Sequence, residues 1–95
     1  MAEVEVTEVV ERCLSKMERV LRKRTEGVVS LAREDEGWKA VVEVLERKAT
    51  PDSMDLIGRY EVMLNEEGTP LGYNQVLIRR RQDRLGIEFN EDKGN

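Results

Sequence analysis

The sequence predicts an α+β domain, with one N-terminal amphipathic helix packed on one face of a four-stranded antiparallel sheet. Three observations lead there. Apolar residues near the start recur at helical spacing, whereas later ones alternate with a period of two. The alternating runs are separated by polar turns ending in Gly and by one Pro-containing loop. A chain of 95 residues can also enclose a single core and no second one. The domain is expected to cover residues 1–90, with a frayed, disordered tail over 91–95.

The helix comes first. Val6, Val9, Val10, Cys13, Leu14, Met17, Val20 and Leu21 form one helical stripe. Thr7 is the expected N-cap, and Glu8 and Glu11 sit where the helix dipole favours anions. Arg22, Lys23 and Arg24 sit at the opposite end, where cations are favoured, and Gly27 is the expected stop. This basic triplet reads as helix-end electrostatics rather than as a phosphate site. Two early valines lower helix propensity, so the helix depends on packing for its stability.

Val28 to Arg33 reads as the first strand, and the turn Glu34-Asp35-Glu36-Gly37 returns the chain as a hairpin. Gly37 to Arg47, with Trp38 and three valines, is the organising strand. Trp38, Ala40, Val42 and Val44 share one face, and Lys39, Val41, Glu43, Leu45 and Arg47 the other. A loop, Ala49-Thr50-Pro51-Asp52-Ser53, precedes the strand Asp55 to Leu64. Within it, Gly58 marks a bulge or a place where something bulky crosses the sheet, Trp38 being one candidate. The turn Asn65-Glu66-Glu67-Gly68 leads to a last long strand, Leu71 to Arg81. Residues 85–90 alternate weakly and could add a short strand.

A single helix covers one face only. Trp38, Val42, Val44, Tyr60, Val62 and Leu77 are expected beneath it. The second face is expected to carry Val41, Leu45, Ile57, Met63, Val76 and Ile78, mixed with Glu43, Arg59 and Glu61. It is read as an interaction surface for a homodimer or a partner protein. The alternatives are that residues 85–89 fold over it or that these apolar residues are simply exposed. Arg79, Arg80 and Arg81, with Arg84, form a basic run at the end of the last strand. Arg79, Arg80 and Arg81 join the protein-contact candidates, with cross-strand pairing to Glu43, Glu46 and Glu61 as the duller account.

Composition limits the chemistry. The net charge is −4, with 16 Lys+Arg against 20 Asp+Glu, which opposes nucleic acid as the main partner. There is no histidine, the commonest general base and metal ligand. The lone Cys13 lies on the apolar stripe and reads as a core residue rather than a nucleophile. Glu34, Asp35, Glu36, Asp52 and Asp55 lie on turns and loops without the spacing of a calcium loop. No catalytic residue, cofactor or metal site is therefore expected. No apolar run approaches the ~20 residues of a membrane span. With no signal-peptide pattern at the start, a soluble cytoplasmic protein is expected.

Two segments stand out in combination. One is Gly37-Trp38-Lys39-Ala40-Val41-Val42-Glu43-Val44-Leu45-Glu46. The other runs from Pro51 through Asp55 and Gly58-Arg59-Tyr60-Glu61-Val62 to Leu64, followed by Glu67-Gly68, Leu71 and Tyr73. In this series of motifs, over roughly residues 14–81, the chain resembles the gas vesicle protein O family. The family's last strand is richer in alternating Arg and Tyr than Tyr73 to Arg81 is here, and residues 85–95 do not align with the family. The resemblance implies a non-enzymatic accessory protein of gas vesicle formation. It would act in the cytoplasm, associated with gas vesicles, through contacts with other gas vesicle proteins. The Tyr-Glu-Val strand and its Gly turn are also similar to small PepSY-type domains, which would imply binding or inhibition. A further alternative is a small regulatory or nucleic-acid-binding domain using Arg79, Arg80, Arg81 and Arg84.

Overall fold

The structure, a computed structural model, describes residues 5–83 and 87–88. Helix α1 spans Val6–Leu21, the bounds that the apolar stripe predicts. Glu5, not Thr7, is the N-cap, and no side chain caps this end. The helix stops at Arg22 rather than at Gly27. Arg22 adopts a left-handed conformation (φ 59°), and its N–H donates to the Glu18 carbonyl at 2.8 Å. The Glu18 carboxylate then accepts from the N–H (3.1 Å) and hydroxyl (2.9 Å) of Thr25, the first residue of the sheet. These bonds, the backbone one foremost, hold the Glu18 carboxyl below its usual range.

The sheet follows chain order. Strands β1 (Thr25–Glu34), β2 (Gly37–Arg47), β3 (Leu56–Leu64), β4 (Pro70–Arg80) and β5 (Ile87–Glu88) each pair antiparallel with the next. The two Gly-ended turns join β1 to β2 and β3 to β4, so both hairpin tips lie at the same end. Gly27 is not a helix stop but part of β1, beside one of that strand's two irregularities. Gly68 closes the β3–β4 turn with φ 92°, a conformation that side chains resist, and it packs directly against Val9.

α1 lies across one face of this sheet. Val9, Cys13 and Met17 meet Ala40, Val42 and Val44 of β2 and Tyr60, Val62 and Leu64 of β3, all buried. Leu14, Leu21, Val28, Leu31 and Trp38 close the margin. Full burial of a Val or Met side chain contributes about 1.5–3 kcal/mol, so this seam supplies most of the drive to fold. Burial also pushes the Cys13 thiol up to about 11, consistent with a core residue.

Three face assignments differ from expectation: Arg47, which pairs with Leu56 on the helix side because β2 is out of step at Glu46, and Leu77 and Ile78. β4 is out of step by one residue at Val76, because Tyr60 pairs with Gln75 while Arg59 pairs with Leu77. This bulge leaves Tyr73 and Gln75 on the helix side, brings Ile78 there opposite Gly58, and moves Leu77 to the far face. The space over Gly58 is filled by Glu46 and Gln75, not by Trp38. Trp38 sits at the hairpin end, its Nε1–H donating to the Glu66 carbonyl at 3.2 Å and Arg33 stacked 4.9 Å above its ring. The expectations for Arg84 and for residues 91–95 lie outside the described residues. So does cover of the second face by residues 85–89, apart from the β5 pair Ile87–Glu88.

Candidate interaction surface

Alternation on β2 and β3 and the register of β4 define the sheet face away from α1. Lys39, Val41, Glu43 and Leu45 of β2 lie beside Met63, Glu61, Arg59 and Ile57 of β3. Gly72, Asn74, Leu77 and Arg79 of β4 extend the surface on one side and Gly27, Ser30 and Ala32 of β1 on the other. Of the expected contact residues, this face gathers Val41, Leu45, Ile57, Met63 and Arg79. Ile78 faces the helix side, Val76 sits at the bulge, and Arg80 and Arg81 lie at the end of β4. Ile57, between Leu45 and Arg79, is only 1% exposed, whereas Met63 is 40% exposed.

The centre of the face is an ion-pair triad. Glu43 accepts from Arg59 Nη2 at 2.9 Å and from Arg79 Nη2 at 3.0 Å. Both Nε–H groups also donate to it, each at 3.2 Å. Burial disfavours the charge on Glu43, but the hydrogen bonds from Arg79 and Arg59 outweigh that cost and hold its carboxyl below the usual range. Arg79 also donates through Nη1 to the carbonyls of Arg80, Arg81 and Asp83. It is therefore a strut that fixes the end of β4 on the sheet. Lys39 and Glu61 form a looser pair at 3.7 Å towards the hairpin end.

The other arginines of the run are similarly occupied. Arg81 binds the Asp55 carboxylate through Nε (3.2 Å) and Nη2 (3.1 Å), and Glu26 through Nη1 (2.9 Å). Glu26 first and Asp55 second push the Arg81 pKa up. Asp55 is buried and accepts from the Ala49 N–H at 2.8 Å, the leading reason its carboxyl stays below the usual range. Among the described residues Arg80 reaches only Asp83, at 4.0 Å, and it is exposed. Of the three expected partners, Glu43 does pair with the run, Glu61 instead meets Lys39, and Glu46 turns to the helix side. There Glu46 accepts from the Tyr60 hydroxyl (2.5 Å), Gln75 Nε2 (3.0 Å) and Lys23 Nζ (2.7 Å). Burial, then Glu46, pushes the Tyr60 hydroxyl pKa up.

Sequence reasoning missed Leu77 on this face and Asp55 as an anchor. A bulge carries no mark in a run such as Asn74-Gln75-Val76-Leu77, and Asp55 resembles any loop carboxylate until Ala49 and Arg81 converge on it. Among the described residues, no group of three or more His, Cys, Asp or Glu side chains could hold a metal ion. Among them, no helix is long and apolar enough to cross a membrane.

The comparisons with known proteins agree with one another. The family model described as gas vesicle synthesis protein GvpO matches residues 1–85. Gas vesicle protein O1 of Halobacterium salinarum is 45% identical over 64 residues, covering 67% of this chain and 54% of that protein. Gas vesicle protein O of Haloferax mediterranei is 44% identical over 59 residues, covering 61% of this chain and 42% of that protein. Gas vesicle protein O of a Streptomyces strain is 44% identical over 59 residues, covering 62% of this chain and 44% of that protein. The chain spans about half the length of the curated relatives it matches. No solved structure matches it. With the family model matched over nearly its whole length, this chain belongs to the gas vesicle synthesis protein GvpO family.

Proposed function

We propose that the protein is a non-enzymatic accessory factor of gas vesicle formation that acts in the cytoplasm by docking other gas vesicle proteins on the helix-free face of its sheet. The observation that carries this reading is the make-up of that face. Val41, Leu45, Met63 and Leu77 surround a rigid Arg59–Glu43–Arg79 triad. Apolar contacts around an ordered charged centre suit protein recognition, the charges setting specificity and the apolar area supplying affinity. Family membership supports the vesicle context.

The nucleic-acid alternative loses its main support in the side-chain geometry. Arg79 and Arg81 are engaged by Glu43, Asp55 and Glu26, so although Arg81 is exposed like Arg80, only Arg80 lacks a close carboxylate partner among the described residues of the run. Co-purification from cells carrying a complete gas vesicle gene set tests the proposal. Tagged wild-type protein is expected to retain other gas vesicle proteins, and the Val41→Asp and Met63→Lys variants to lose them while remaining folded. Undiminished capture by both variants, or salt-steep binding of DNA or RNA in place of protein capture, would overturn it.

A further inference from the structure

We infer that β1 is a self-pairing edge and that two copies of this chain join through it into one continuous sheet. β4 is paired on its outer side by β5, whereas β1 has no strand on its outer side among the described residues. At 10 residues it is a long edge, and such an edge presents a row of backbone donors and acceptors ready for another strand.

The occupant is named by the charge pattern along that edge. Arg22, Lys23 and Arg24 precede the strand, and Glu34, Asp35 and Glu36 follow Arg33 at its far end, all of them exposed. Lys23 is tied to Glu46, Glu26 to Arg81, and Arg33 to the Trp38 ring, so the remaining charges make the edge basic at one end and acidic at the other. An antiparallel second copy sets each end against its opposite, whereas a parallel copy would set like against like. A two-fold axis relates identical patches, so one complementary contact is made twice.

The bulge register fixes where the axis falls. Pairing to β2 puts Val28, Leu31 and Arg33 on the helix side, and Gly27, Ser30, Ala32 and Glu34 on the other, with Val29 left out of step. Directly opposed residues must share a face, so the two-fold passes through a residue that meets its own copy. Ser30 is the central one. Val28 then lies against Leu31 of the second copy, Gly27 against Ala32, Thr25 against Arg33 and Arg24 against Glu34. Val29, 49% exposed, stands beside the axis. Exposed ion pairs add little affinity individually, so here they select the antiparallel partner while backbone bonds hold it.

Cross-linking and sedimentation of the full chain test this. Ser30→Cys brings two thiols together at the axis, where facing Cβ atoms lie about 4.5–5.5 Å apart, within reach of a disulfide after modest adjustment. The native Cys13 is buried and does not compete. Mild oxidation is expected to convert most of the Ser30→Cys protein to a covalent dimer, and Glu66→Cys, at the hairpin tip, to give none. Wild-type protein at tens of micromolar should sediment at twice the 11.0 kDa chain mass. Arg24→Glu, which sets like charges against each other twice, should weaken the dimer severalfold, and the double variant Arg24→Glu/Glu34→Arg should restore its affinity. A wild-type monomer with no Ser30→Cys cross-link overturns the inference. So does a dimer whose affinity Arg24→Glu leaves unchanged and that fails to cross-link at residue 30, because its interface then lies elsewhere.

Discussion

Gly58 shows what a single hydrogen atom can permit. Any Cβ there would overlap the Glu46 carboxylate and the Gln75 amide, so the polar cluster under the end of α1 exists only because residue 58 has no side chain. Gly58→Ala is expected to part Glu46 from Tyr60 and cost about 1–3 kcal/mol, the penalty for leaving buried polar groups unsatisfied. Gly72→Ala is the control. Nothing lies within 4 Å of a Cβ there, and its cost should stay within about 0.5 kcal/mol. Urea unfolding of both variants measures the difference, and equal losses would refute the account. Sequence inspection marked Gly58 as a bulge or a crossing point and offered Trp38 as one candidate for what crosses there. The side chain of Glu46 reveals its direction only once β2 and β3 are aligned in register.

At the scale of elements, α1 and β4 mark the two extremes of legibility. The extent of the helix was readable because eight apolar positions obey one period and nothing interrupts them, whereas its caps, Glu5 and Arg22, were not. β4 was readable in extent but not in facing. One inserted residue at Val76 reverses every side chain after it, and Val, Leu and Ile suit either face of a sheet. The helix gives the sharper test. Met17 is 1% exposed in the seam, and Met17→Ala should cost about 2–5 kcal/mol. Val20, 45% exposed on the same helix, should tolerate Glu within about 0.5 kcal/mol. Thermal unfolding of the two variants side by side checks this, and a comparable loss at residue 20 would mean that the helix packs in another orientation.

At the scale of the molecule, charge decides how stability follows pH. The chain has no histidine, so no side chain with an ordinary pKa titrates between about pH 5 and 8, and unfolding midpoints should be nearly flat there. Glu18, Glu43 and Asp55 all have folded pKa values below their ordinary ones. Their contribution is complete above the ordinary carboxylate range and is lost as pH falls through the folded values. Urea midpoints should therefore drop below about pH 5, and Asp55→Asn should make that acid limb shallower while lowering the midpoint at pH 7. An unchanged acid limb in Asp55→Asn would show that Asp55 does not carry it. On the candidate face, Met63→Lys should leave the unfolding free energy within about 0.5 kcal/mol of wild type, because Met63 lies outside the core. A large loss there would make the face structural. The strands lie side by side in the order in which they are made, so each new strand finds its neighbour already in place at the ribosome exit. The helix emerges first yet has no complete seat until Leu64 has followed, and until then its oily stripe is the part of the nascent chain most in need of a chaperone.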